Sequence, residues 1–150
     1  MSEIENFKAQ FRRGNLFNHV LLGTSMILEI KNNGISYCNP DNWQNAYMDG
    51  NDNLHRIEVL PLTEQWLLKL GFTKPKHSND FYDYPKNYSI EFWKKESSLV
   101  IWPEDIHGGS VMDRIDIPCE YVHQLQNLIF AITGEELTTS PTSTKPELPK

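Results

Sequence analysis

The chain has 150 residues, 39% of them hydrophobic, with seven Phe, six Tyr and four Trp, which is enough to fill the core of a domain that folds alone. Fourteen basic against 20 acidic side chains give a formal charge of −6, so no net field draws a phosphate backbone or an anionic lipid surface, and a long nucleic acid is disfavoured as a partner. The acids are scattered, with no run longer than Glu135-Glu136, which weakens a DNA-mimic reading, since a mimic needs ordered rows of carboxylates.

The amino terminus, MSEIENFKAQF, carries acids where a secretory signal needs positive charge, and no segment approaches the ~18 apolar residues of a membrane span. The chain is therefore read as cytoplasmic, with no membrane partner. Residues 1–12 are expected to form a flexible or helical leader, with Ile4 and Phe7 three apart. Ordered structure is expected from Arg13 onward, where Gly14 and Asn15 offer a turn before the apolar run Val20-Leu21-Leu22. In MILEIKNNGISYC, Met26, Leu28 and Ile30 alternate with other positions, and Asn33-Gly34 tolerates the positive φ of a tight turn, so a β-hairpin is centred there.

Asn39 to Asn53 reads as a long polar excursion with a helical turn, because Trp43 and Tyr47 are four apart. A strand over Arg56 to Leu60 follows. Thr63 then caps a helix over about Glu64 to Leu70, whose buried face is Trp66, Leu67 and Leu70 and which stops at Gly71. Ile90 and Phe92 facing Leu99 and Ile101 predict a second hairpin, and Val111 to Ile117 a further strand. Pro118 opens a last helix over about Cys119 to Thr133, with Val122, Leu125, Leu128, Ile129 and Ile132 in one stripe and Gly134 at its end. The tail from Thr138 to Lys150 has three prolines and little to bury, and is expected to be disordered. Strands and two helices in this order predict an α+β fold over 13–137, with a small, curved, barrel-like antiparallel sheet against which the short central helix and the amphipathic C-terminal helix pack.

Three segments carry a resemblance: Arg13-Gly14-Asn15-Leu16, the run PLTEQWLLKLGF from Pro61 to Phe72, and the run YVHQLQNLIFAITGEEL from Tyr121 to Leu137. They resemble a family of short, uncharacterised proteins common in Bacteroidota genomes and in their phages and mobile elements. The resemblance implies a phage or mobile-element setting and a small α+β fold, and it brings no catalytic residue with it. The leader, the Asn39 to Asn53 excursion and the Pro-rich tail depart from the family pattern.

No motif in the chain carries chemistry of its own. The histidines, His19, His55, His77, His107 and His123, include no pair at i, i+4, and HExxH, GxSxG, GxxxxGK and GxGxxG are all missing. Cys38 and Cys119 lie outside any CxxC spacing and read as reduced thiols. Asp105 and His107 beside Gly108-Gly109 would hold a metal or a general base only if another strand added ligands; the bland reading is a solvated turn. His123, Gln124, Gln126 and Asn127 read as the wet face of the last helix. The chain is accordingly expected to be non-enzymatic, without metal or cofactor.

The aromatic residues are what remains. Strand alternation sends Phe92 and Trp93 to opposite sides, so part of the aromatic surface is expected to be exposed and available as interface anchors. The expected partner site is Trp43 and Tyr47 with Asp41, Asp49 and Asp52 at its rim, and a second patch of Tyr82, Tyr84 and Trp93. The resulting expectation is an accessory protein that binds and blocks a host protein, with a defence component as the target class that the resemblance suggests. The alternative is a small-ligand binder holding a nucleotide-like molecule between aromatic rings, with Arg12, Arg13 or Lys94 near its phosphate.

Overall fold

In the computed structural model, which describes residues 3–87, 89–102 and 114–139, the chain divides into two compact units, 1–61 with 121–150, and 62–120. The fold is α+β, as the alternation of strand and helix signals predicts. The strands form two separate antiparallel sheets, where the sequence reading has a single barrel-like one. Hydrophobic periodicity marks each strand but does not say which strands share a ladder, and that is where the two pictures part.

The first unit opens with α1 (Glu3–Gln10), followed by β1 (Leu16–His19), β2 (Gly23–Lys31), β3 (Gly34–Asn39) and β4 (Asn42–Gly50). A 3-10 helix (Asn51–Arg56) and β5 (Ile57–Glu58) come next, and α3 (Val122–Thr133) closes the unit. The sheet order is β4-β3-β2-β1-β5. Sequence neighbours β4 and β5 thus lie at opposite edges, about 19 Å apart if the sheet were flat. The 3-10 helix of six residues that joins them spans only about 12 Å, so the sheet curls. A bulge between Ile27 and Glu29 adds local twist, yet no ladder joins β4 to β5 and the sheet stays open.

The hairpin between β2 and β3 is present, with its turn at Asn32-Asn33, one residue earlier than predicted, because Lys31 pairs with Gly34. Gly34 is required where it stands. Its φ is +155°, and a Cβ there would overlap the Asp49 carbonyl oxygen and the Gly50 Cα. The excursion from Asn39 is also regular structure: β4 pairs with β3 through Tyr37↔Tyr47, Ser36↔Met48 and Ile35↔Asp49. Trp43 and Tyr47 are four apart on a strand, a spacing that keeps one face in a strand as it does in a helix.

The inner face of the curled sheet presents Phe17, Ile27, Ile35 and Tyr37, and α1 fills it with Ile4 and Phe7, joined by Phe11 just after the helix and by Leu54 from the 3-10 helix. The leader is therefore part of the core. Its short apolar triplet looks too weak alone, and only a concave sheet face makes it worth burying.

The segment Arg13 to Leu16 and the closing helix meet in this unit. Asn15 is fully buried; its Oδ1 accepts from the Arg12 amide at 2.8 Å and its Nδ2 donates to Asn127 Oδ1 at 2.8 Å. Gln126, buried as well, accepts from the Leu16 amide at 2.8 Å while its Nε2 donates to the carbonyls of Gly14 at 3.2 Å and Leu137 at 3.0 Å. Arg12 pairs with Glu136 and lies 4.2 Å from the Phe130 ring centroid. Helix α3 starts at Val122, since Pro118 ends a strand, and it stops at Gly134 in the left-handed conformation, as predicted. Gln126 is not on a wet face, and its role is to satisfy three backbone groups that would otherwise be buried alone.

The second unit contains α2 (Glu64–Lys69), β6 (Phe81–Asp83), β7 (Ile90–Trp93), β8 (Ser98–Ile101) and β9 (Ile115–Pro118), with the sheet in that order. Thr63 caps α2 by accepting from the Trp66 amide, and Gly71 follows at φ 93°, both as the sequence implies. The hairpin pairs Ile90 with Ile101 and Phe92 with Leu99, in the predicted register. Leu67, Leu70, Phe72, Tyr82 and Phe92 are buried in this unit. Val111, the Asp105–His107 turn and most of the tail lie outside the described residues.

Gln126→Met, which keeps the volume and removes the amide, is expected to destabilise the protein by about 3 kcal/mol or more, since the Leu16 amide and two carbonyls lose their partner. Urea unfolding of the two proteins measures the difference; a loss below about 1 kcal/mol would mean water replaces the amide there.

Candidate functional site

At the end of β1 the buried side chain of His19 crosses the curl to β4 and meets Asp49, with Nε2 2.9 Å from Oδ2. The other ring nitrogen, Nδ1, accepts from the Leu21 amide at 3.1 Å. The two contacts together fix the tautomer, with the hydrogen on Nε2 donated to the carboxylate. Tyr37 belongs to the same buried cluster; burial first, then the charge of Asp49, push its hydroxyl up to about 12. Asp49 thus accepts from a buried donor, His19. The Tyr37 ring stacks on His19 at 5.1 Å and on Tyr47 at 5.9 Å, and meets Phe17 edge-on at 5.5 Å.

A histidine oriented by a carboxylate is half of a catalytic triad, but here the second nitrogen is occupied by the Leu21 amide. The cluster acts as a brace. It ties the loop Val20-Leu21-Leu22, the tip between β1 and β2, through His19 and Tyr37 to Tyr47 on the edge strand. Leu21 is 69% exposed and Met48 54%, and Val20, Leu22 and Tyr47 are exposed too. These are five of the nine large apolar side chains exposed among the described residues, and four of them, all but Met48, belong to the braced tip and the ring that ends the stack.

The expected site residues separate under this geometry. Tyr47 is exposed on β4, and Asp41 and Asp52 are exposed just beyond the two ends of that strand, as a rim requires. Asp49 is 7% exposed and cannot be a rim charge; it shares the inner face of the sheet with its cross-strand partner Ile35 and with Tyr47, and there its carboxylate is covered and bonded to His19. The side chain of Trp43 lies outside the described residues. Tyr82 and Tyr84 are buried and cannot form an exposed patch or one wall of an open slot, because they line the same face of their sheet as Phe92. Of the second patch only Trp93 is half-exposed, held by a 3.0 Å bond to Glu91 Oε1, a stack on Phe81 at 5.3 Å and the Arg114 guanidinium at 4.8 Å.

Among the described residues, the other titratable groups offer no better site. Glu91 takes a second indole, Trp102, at 2.7 Å, and its cross-strand partner Asp83 has its pKa raised by burial and then by Glu91. Among the described residues no three His, Cys, Asp or Glu side chains converge to hold a metal, and no helix is long and apolar enough to cross a membrane. Asp105 and His107 lie outside those residues.

His123 is buried at 3% exposure, its ring stacked 4.3 Å from Phe11, and its Nδ1 makes no hydrogen bond. The sequence reading missed the His19 brace because its three members, His19, Tyr37 and Asp49, are 12 to 30 positions apart. One signal was available: three consecutive apolar residues, Val20 to Leu22, closed by Gly23 as a hairpin tip, where folding alone favours polar residues.

Comparison with family models, with curated proteins and with solved structures finds no match to the chain.

Two outcomes are expected. Asp49→Ala leaves the His19 donor buried without an acceptor and should cost about 1–3 kcal/mol in urea unfolding, whereas Asp49→Asn, which keeps one acceptor oxygen, should cost less. Burial holds the His123 pKa down at about 4, below its ordinary 6.5, so the unfolded chain takes up a proton between those values that the folded chain does not. The stability tied to neutral His123 is thus complete above pH 6.5 and is lost as pH falls toward 4, by roughly 3 kcal/mol in total. His123→Phe, which keeps the stack on Phe11, should flatten the stability profile across that window by this amount; parallel profiles would show that His123 does not titrate there.

Proposed function

We propose that the chain is a non-enzymatic binding protein that acts by occupying a protein partner with the braced surface of its first unit. The observation that carries this reading is the concentration of exposed Val20, Leu21, Leu22 and Tyr47 at one end of a hydrogen-bonded and stacked cluster. A fold without a partner has no use for three consecutive exposed aliphatic residues at a hairpin tip, and contiguous apolar surface of this kind marks interaction sites. The brace makes the surface cheap to use. His19 and Asp49 hold the tip in place before binding, so little loop entropy is lost on association. Large apolar side chains supply the buried area, and Asp41 and Asp52 around them set orientation and on-rate.

The blocking of a host protein, and a defence component as the target, extend this reading through the family resemblance alone. The nucleotide-like ligand of the alternative reading has less support. Arg12 is engaged by Glu136 and Phe130, and Tyr82 and Tyr84 are buried.

The test is co-purification of the tagged chain from its own host, with bound proteins identified by mass spectrometry. Leu21→Asp and Tyr47→Ala are each expected to release the bound protein, with a loss of affinity of about tenfold or more. Leu68→Asp, at an exposed apolar position of the second unit, should retain it. Retention by all three variants would remove the braced surface from the interaction.

A further inference from the structure

The two edges of the five-stranded sheet differ in a way that bears on how a partner is held. Strand β5 is two residues long, flanked by Arg56 and followed shortly by Pro61, the features that keep an edge from pairing with other chains. Strand β4 has none of them. It runs for nine residues without Lys, Arg or Pro, and its one charged side chain, Asp49, is turned inward onto His19. Among the described residues, Asn45 to Met48 make no backbone hydrogen bond beyond their ladder with β3, so alternate N–H and C=O groups of this stretch point away from the sheet.

We infer that β4 is a docking edge whose occupant is an extended segment of another protein, flanked by cations, that adds a sixth strand to this sheet. The inference rests on the binding role proposed above and names its mode. Tyr47 and Met48 are adjacent in the strand and therefore face opposite sides of the sheet, and both are exposed. A helix or a globular surface laid on one face covers one of them. An added strand covers both, because its own side chains alternate between the same two faces.

Charge selects the occupant. Between Lys31 and Arg56 the sequence contains Asp41, Asp49 and Asp52 and no Lys or Arg. A second copy paired antiparallel along β4 would bring Asp41 beside Asp52 at both ends, and a parallel copy would bring each aspartate beside itself. Like charges meet in either arrangement, which costs stability. A segment with apolar residues in alternation and Lys or Arg at its ends meets the same aspartates with opposite sign.

The experiment is an amide-resolved NMR titration of the full chain with a synthetic peptide of alternating valine and threonine ended by paired lysines, and with the same peptide ended by paired glutamates. The lysine peptide is expected to shift and protect alternate amides within Asn45 to Met48 and to bind about tenfold tighter than the glutamate peptide. Met48→Lys should weaken the lysine peptide about tenfold with the spectrum of the second unit unchanged. Equal affinity for the two peptides, no response in β4 at millimolar peptide, or a dimer in solution whose β4 amides are protected without peptide would each overturn the inference. If β4 is silent while the captured partner still depends on Leu21 and Tyr47, strand addition falls and the binding role stands; if neither responds, both fall.

Discussion

The contact of His19 with Asp49 joins two strands that are three places apart in their sheet, and much of the first unit depends on the curl that allows it. In a flat sheet β1 and β4 would be about 14 Å apart. The short 3-10 connection, the bulge in β2 and the close approach of Gly34 to the Asp49 backbone bend the sheet until the two side chains meet. Bending also produces the concave face that α1 fills, so the same curvature creates the core on one side of Tyr37 and the polar brace on the other.

This arrangement sets what a histidine and an aspartate in hydrogen-bond contact provide here. A general base needs a free nitrogen facing a reacting atom, and His19 gives that nitrogen to the Leu21 amide. What the pair provides is position. Buried, mutually satisfied polar groups fix one geometry, because every alternative leaves a donor unpaired, and here the geometry being fixed is that of an apolar tip beside an open strand edge.

The family-like segments belong to a different part of the account. Arg12 to Leu16 and the closing helix interlock through Asn15, Gln126 and Asn127, and the central run forms a capped helix with Leu67 and Leu70 buried. In this chain those motifs build the fold. The proposed interaction surface lies on the Val20 to Leu22 tip and on β4 within the excursion from Asn39, outside those segments.

Local signals determined much of what could be read without coordinates. The Thr63 cap, the Gly71 and Gly134 stops and the facing rows of the second hairpin follow from interactions between residues close in sequence, and each appears where the sequence placed it. The turn at Asn32-Asn33 was displaced by one residue and β4 was read as a helical turn, since a spacing of four suits both a strand and a helix. Asp49, Tyr82 and Tyr84 were placed at the surface because residue type alone says nothing of which side of a sheet is covered. The division of the described strands between two sheets, the burial of α1 and the meeting of His19 with Asp49 were decided only by the tertiary structure. Each depends on pairings between residues far apart in the chain, whose energies arise once the sheet curls and water is excluded, and which leave no local pattern in the sequence.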